Sequence, residues 1–259
     1  MTGRPEVEGH LHGASSTICY IVHDPATRRA AVIDPVLDYD PASGRTSTAF
    51  VDQVADRVEA LGLAVDWVLE THVHADHLSG AQQMRARLGG EIAIGAHIDR
   101  VQVSFAKIYN LGPAFRTDGS QFDRLWRDGD RFRIGEIEAD VMHTPGHTPA
   151  CVTYRIGDAL FVGDTIFMPD FGTARCDFPG GDARDLYRSA KRILALPPDT
   201  RIFVGHDYAP GGRDFAWETT VAAERAANKH VRDGVDEAAF VEMRRARDAE
   251  LGMPQLLLP

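Results

Sequence analysis

The sequence predicts an α/β domain with a metal site at the mouth of one strand, and three observations predict it. Val65-Asp66-Trp67-Val68-Leu69-Glu70 is apolar and β-branched enough to be a buried strand. Ser79-Gly80 through Leu88 reads as a helix that stops at Gly89-Gly90. Between them His72, His74, Asp76 and His77 crowd into one short loop. The cluster therefore sits at the carboxyl end of a strand, in the turn that opens a helix, where α/β sheets bind ligands. Neutral imidazoles and carboxylates suit first-row divalent metals. In extended backbone His72 and His74 leave on the same side. That pair is expected to serve one ion, and Asp76 with His77 a neighbouring one.

The 259 residues suffice for one large α/β domain or two small ones, and 44% are apolar, so a sizeable core is available. No repeat or low-complexity tract interrupts the chain. A single domain over 1–259 is expected, with C-terminal helices from about residue 214. A net charge of −10 argues against nucleic acid, which wants a basic footprint. An anionic substrate would need locally placed arginines rather than a favourable overall field. Cys19, Cys151 and Cys176 are odd in number, far apart and form no CxxC, so a reducing, cytoplasmic setting is expected rather than a disulfide framework. Met1 to Glu6 has no apolar core, and no run approaches the roughly 20 apolar residues of a membrane span.

Residues 1 to 14 read as irregular. Ser16 to Val22 and Ala30 to Ile33 read as strands joined by the turn-rich His23-Asp24-Pro25-Ala26-Thr27. Pro35 discourages helix at Asp34. Asp38 to Thr48 reads as a polar loop. Ala49 to Leu61 is an amphipathic helix, with Phe50, Val54, Val58 and Leu61 near helical spacing. Past the histidine cluster come a short strand, Glu91 to Ile94, and a helix, Ala96 to Lys107; His97 is read as a surface or packing histidine. Tyr109 to Arg127 reads as a long loop in which Phe115 and Phe122 are assigned to core packing. Arg131 to Ile134 and Ile137 to Met142 form a hairpin, as do Cys151 to Ile156 and Ala159 to Val162. Met168 to Gly181 is an irregular loop, and such loops line active sites. Asp182 caps a helix that Pro197-Pro198 stops. Arg201 to Val204 is a strand. Phe215 to Asn228 and Glu237 to Leu251 are helices, with Glu242, Arg244, Arg245 and Arg247 as solvated faces and an apolar tail, Gln255 to Pro259.

Three further signals follow the HxHxDH run in order: His147 in Thr144-Pro145-Gly146-His147-Thr148, Asp164 in Phe161-Val162-Gly163-Asp164, and His206 in Phe203-Val204-Gly205-His206-Asp207. Together these motifs, from about residue 15 to 210, resemble the metallo-β-lactamase superfamily. The resemblance implies a four-layer αββα sandwich with metal held at one edge between its two sheets. It also implies that Asp34 supports the metal loop from behind. It assigns the metal to the histidine after glycine, which leaves His143 as a hydrogen-bonding neighbour.

Two chemistries compete for this ligand set. One is hydrolysis of a thioester or lactone at two Zn(II) ions that share Asp164, as in glyoxalase II. The other is oxygen chemistry at one Fe(II) held by His72, His147 and Asp164. The details are similar to the persulfide dioxygenases, and to the bacterial branch named β-lactamase hydrolase-like proteins: His72 to Ala81, TPGHTPACVTY from Thr144 to Tyr154, VGDTIFMPDFGTARCDFPGG from Val162 to Gly181, and Gly205-His206-Asp207-Tyr208. The resemblance implies oxidation of glutathione persulfide by O2 to sulfite and glutathione, and a possible homodimer. Arg175 would contact the glutathione moiety and Tyr208 would sit near the iron. His74, Asp76, His77 and His206 would hydrogen-bond water and orient the ligands, or hold a second metal. The alternative reading of Arg175 is a loop-stabilising pair with Asp170 or Asp177. The Asp164-to-Arg175 spacing is longer than in the animal-type members.

Overall fold

The computed structural model describes residues 3–252. In chain order the strands are β1 (Glu6–His12), β2 (Thr17–His23), β3 (Arg29–Ile33), β4 (Val36–Asp40), β5 (Arg45–Ser47), β6 (Ala64–Leu69), β7 (Leu78–Ser79), β8 (Glu91–Gly95), β9 (Arg124–Trp126), β10 (Arg131–Ile134), β11 (Ile137–His143), β12 (Val152–Ile156), β13 (Ala159–Phe161), β14 (Arg201–Phe203) and β15 (Glu218–Thr220). The helices are α1 (Ala49–Ala60), α2 (Ala81–Leu88), α3 (Ile98–Ile108), α4 (Ala183–Leu194), α5 (Val221–Ala227) and α6 (Glu237–Asp248).

Two six-stranded sheets organise the domain, in the orders β1-β2-β3-β6-β8-β9 and β10-β11-β12-β13-β14-β15. Side chains alternate across a strand, and β2 uses both faces. Ile18, Tyr20 and Val22 point between the sheets, where they meet Ile134, Val141, Tyr154, Phe161 and Phe203. Cys19 and Ile21 point outward, under Val51, Val54 and Val58 of α1 and Met84 of α2. The second sheet repeats the arrangement: Leu160, Val162, Ile202 and Val204 face Leu186, Ala190 and Ile193 of α4 and Phe240 of α6. The expected four-layer αββα sandwich follows directly from these faces.

The two sheets are stitched at one end. Ile18 N–H donates to the Gly205 carbonyl at 2.9 Å, and Thr17 bridges to His206. Val152 N–H donates to the Thr71 carbonyl at 2.9 Å. Gly205 N–H also donates to the Gly163 carbonyl at 3.1 Å, so the segments that follow β6, β13 and β14 are held at one end, whichever sheet they leave.

Four sequence readings are corrected. Residues 1 to 14 are not all irregular: β1 pairs antiparallel with β2 from Glu6↔His23 to His12↔Thr17. Its EVEGHLH composition hides it, because an edge strand is half exposed on both faces. The polar loop from Asp38 contains the end of β4 and all of β5, which pair outside the main sheets. The long loop from Tyr109 ends in β9, paired in parallel with β8. The helix expected from Phe215 begins only at Val221, because Glu218–Thr220 is taken by β14 as a strand partner and Thr220 then caps the helix. Asp182 caps α4 as expected, accepting from Arg184 and Asp185 N–H. The apolar tail from Gln255 lies outside the described residues.

Candidate metal centre

Each predicted ligand rests on backbone that only a particular local sequence permits. Asp34 sits just after β3 at φ 51 and takes Thr71 N–H and Thr71 Oγ1 on its two carboxylate oxygens, at 2.7 and 2.8 Å. This clamps the turn leaving β6. Gly163, at φ 49, lets the end of β13 pass against it: a Cβ there would fall 2.5 Å from Thr71 Oγ1. Gly146, at φ 141, leaves the His147 loop seated on α4, where a Cβ would fall 2.3 Å from the Leu186 backbone.

The rings share one design: an outer partner holds one nitrogen and leaves the other for the centre. His72 Nδ1 meets Thr71 Oγ1 at 2.9 Å, His147 Nδ1 the Arg175 carbonyl at 2.8 Å, and His77 Nδ1 the Leu78 carbonyl at 3.0 Å. His74 is held by Nε2 instead, 3.2 Å from Glu70 and 3.4 Å from Asp34. The opposite atoms, His72 Nε2, His77 Nε2 and His74 Nδ1, are buried without a protein partner, as is Asp164 Oδ1. Buried polar atoms without partners are costly, and a cation is the partner that this donor set fits.

Burial is the main force that pushes His72 well below the ordinary imidazole range, and its effect on His77 carries that ring down to about 3. Both rings are thereby kept neutral, the form that binds a divalent ion.

His72, His147 and Asp164 form one group whose ligand atoms all lie within 4.8 Å of one another. Asp164 Oδ2 is 3.7 Å from His72 Nε2 and 3.5 Å from His147 Nε2. Donors around a single ion stand ~3–3.5 Å apart at ordinary bond lengths. A second group of this kind comprises His74, Asp76 and His77. His206 Nε2 lies between the groups, 3.4 Å from Asp164 Oδ1 and 3.6 Å from Asp76 Oδ2. His74 thus stands between the two expected pairs, with its ring centroid 4.1 Å from that of His77. It is grouped with Asp76 and His77, and also with Asp34 and Glu70, while its ring still lies against that of His72 with centroids 4.2 Å apart.

A cavity of about 330 Å³ opens onto the centre, lined among others by Asp76, Phe167, Phe171, Phe178 and Tyr208. Tyr208 stacks on His206, with ring centroids 5.7 Å apart, and lies against Phe171 at 4.6 Å. Arg175 lines the cavity, but its guanidinium grips Asp177 bidentately at 2.6 Å and donates to the Gly252 carbonyl at 2.7 Å. Arg244 and Arg247 also reach the cavity. Arg244 is not a solvated face residue as expected: it is 2% exposed and pairs with Asp248 at 2.7 Å. Arg247 has no ion pair among the described residues.

Two supporting residues escaped sequence reading. Glu70 directly follows β6, four positions before His74, and that i, i+4 spacing was its signal. Thr17 contacts both Asp76, at 3.3 Å, and His206, at 3.5 Å, and nothing local marks it. His143 donates to or accepts from nothing at the centre; its Nε2 meets the Pro149 carbonyl at 3.0 Å, and its ring packs on His97. The three cysteines are free and buried.

Two facing sheets, helices outside and a histidine–aspartate centre at their common end define a metal-dependent protein of the αββα class. The chain belongs to the metallo-beta-lactamase superfamily, whose family model matches residues 12–206. It is 57% identical, over 98% of this chain and 90% of the other, to a protein of Burkholderia pseudomallei named probable metallo-hydrolase. It is 53% identical to a beta-lactamase hydrolase-like protein of Xylella fastidiosa, of whose length it spans 58%. Human mitochondrial persulfide dioxygenase ETHE1 is 32% identical over 75% of this chain and 65% of its own. The crystal structure of ETHE1 from Myxococcus xanthus superposes with a TM-score of 0.78 at 30% identity, covering 97% of this chain and 94% of that one. No helix among the described residues is long and apolar enough to cross a membrane.

Proposed function

We propose that this chain is an iron-dependent persulfide dioxygenase that oxidises glutathione persulfide, or a related sulfane sulfur, with O2 to sulfite and the free thiol. The observation that carries the reading is the grouping of His72, His147 and Asp164 around one point. Two imidazoles and one carboxylate are the ligand set of non-haem ferrous oxygenases. The likeness to proteins named persulfide dioxygenase and ETHE1 supports it. His72, His147 and Asp164 would hold one Fe(II), which would supply redox chemistry between the persulfide sulfur and dioxygen.

The chain's own residues do the rest. Thr71 and the Arg175 carbonyl hold the two ligand rings in the tautomer that leaves Nε2 free. Arg247 on the cavity wall suits the carboxylate of an anionic thiol, with Arg175 as a second contact that must share Asp177. Phe167, Phe171 and Phe178 keep the approach apolar. Tyr208 and Asp76, on the cavity wall, orient substrate, the Tyr208 hydroxyl by donating a hydrogen bond and the Asp76 carboxylate by accepting one.

A second reading is a glyoxalase II-like hydrolase of thioesters or lactones with two Zn(II). Asp164 favours it, since its two oxygens face the His72/His147 side and the His206/Asp76 side. The relative named metallo-hydrolase favours it too. Metal analysis of anaerobically purified protein separates the readings. One iron per chain, with O2 uptake on adding glutathione persulfide, is the expected result. Two zinc ions and thioester cleavage without O2 uptake would overturn it.

A further inference from the structure

Beside the metal cavity lies a second one, of about 310 Å³, which shares His74 and Phe178 with the site already described and is otherwise walled by residues that site does not use. It is bounded by the metal loop at Val73 and Ala75, by α3 at Val101 and Phe105, and by the segment after α3 at Leu111 and Phe115. Its polar side chains are His74, Thr148 and Tyr109, and no aspartate, glutamate, lysine or arginine lines it. Several of its side chains remain open to solvent: Val73 is 36% exposed, Leu111 42% and Phe115 39%. Phe122 behaves differently and packs into the core with Leu125. The sequence expectation of core packing therefore holds for Phe122 and fails for Phe115.

The two cavities share a wall. Ala75 and Phe178 line both, and the Phe178 ring stands edge-on to His147 with centroids 5.1 Å apart. Ala75 and Phe178 are thus the partition across which a group on a molecule at the metal centre would reach the apolar side. A concave, small-molecule-sized apolar volume opening beside a polar reactive centre is a substrate subsite in its physical form. Its concavity and size fit a ligand group rather than a flat protein face.

We propose that the cavity between the Val73–Ala75 loop and the segment after α3 is a subsite for an alkyl or aryl group carried on the substrate. The inference rests on the proposed thiol-derived substrate class and adds to it: a glutathione thioester would place its apolar acyl group here, with its peptide portion near Arg247, whereas a persulfide would place its single organic group here in place of that peptide. Each methylene buried there should tighten binding about fourfold.

The test is calorimetric titration of metal-replete protein with S-methylglutathione and S-octylglutathione, which are inert to both proposed chemistries. Wild type should bind the octyl conjugate at least tenfold more tightly. Phe115→Asp and Leu111→Ser, both at exposed positions, should erase that gain and leave S-methylglutathione affinity unchanged. Equal affinity of the two conjugates for wild type, or a gain that survives both substitutions, overturns the proposal. Should neither conjugate bind, the glutathione reading fails, and 1-octanol alone becomes the probe. Saturable shifts of Val73 and Phe115 NMR signals, absent in Phe115→Asp, then support the subsite; no shifts overturn it. A concentration-dependent dimer abolished by Phe115→Asp, with no octyl gain, would assign the face to a second copy and also overturn it.

Discussion

His147 is aimed at the metal centre by the backbone of Arg175, whose carbonyl oxygen lies 2.8 Å from the ring's Nδ1. The next residue explains why that carbonyl stays put. Cys176 N–H donates to Asp248 of α6 at 3.1 Å, and its thiol lies 3.3 Å from the same carboxylate. Asp248 in turn holds the buried Arg244, which donates to the Thr173 carbonyl at 3.2 Å. A helix distant in sequence thus orients a ligand it never touches.

Asp248→Ala should therefore act twice. Removing one partner of a buried ion pair leaves the Arg244 charge uncompensated, at a cost of about 3 kcal/mol, read as a lower urea midpoint. Loss of the outer support for His147 should also weaken metal binding about tenfold, read by competition with a chromogenic chelator. Unchanged metal affinity would show that the Arg175 carbonyl is held without α6.

Asp34→Ala should be among the most damaging substitutions away from the direct ligands. It removes two buried charge-assisted hydrogen bonds to Thr71 and the nearby partner of His74. It also places alanine at a positive φ. The loss should be about 3 kcal/mol or more in chemical denaturation. Asp34→Asn, which tolerates that backbone and still accepts from Thr71 N–H, should lose less than half as much.

Metal removal should lower thermal stability. An ion bound at a concentration about a thousandfold above its dissociation constant contributes ~4 kcal/mol, which for a chain of this size is roughly 10 °C in Tm. Scanning calorimetry before and after chelation checks this. His147→Ala should start near the chelated value and respond little to added chelator.

The buried carboxyl of Glu224 predicts a pH dependence unrelated to the metal. Burial pushes it up to about 8 from an ordinary 4.5, against the hydrogen bond that Asn228 donates at 2.6 Å. The fold therefore favours the neutral form. Its contribution is fully present below pH 4.5 and is lost as pH rises through about 8. Buried His230, lowered to about 4 from 6.5, titrates with the opposite sign, so the clean window lies above pH 6.5. Across that window wild type should lose on the order of 2 kcal/mol relative to Glu224→Gln. Parallel denaturation midpoints at pH 6.5 and 8.5 for both proteins would refute the assignment.

The sequence by itself determined the layered class and the identity of the candidate ligands. Hydrophobic period, caps and the glycines that precede His147, Asp164 and His206 are local properties, and each survives in the fold as read. The edge strand β1, the β15 partner of β14 and the burial of Arg244 were not legible, because a neighbour remote in the chain decides each of them. The same reason hid Thr17 and Asp248. Only the tertiary structure decided which imidazole nitrogen faces inward, that Arg175 is spent on Asp177, and that an apolar chamber adjoins the centre. These depend on three-dimensional proximity, which pairs of residues acquire when the two sheets close on each other and which no short window of sequence contains.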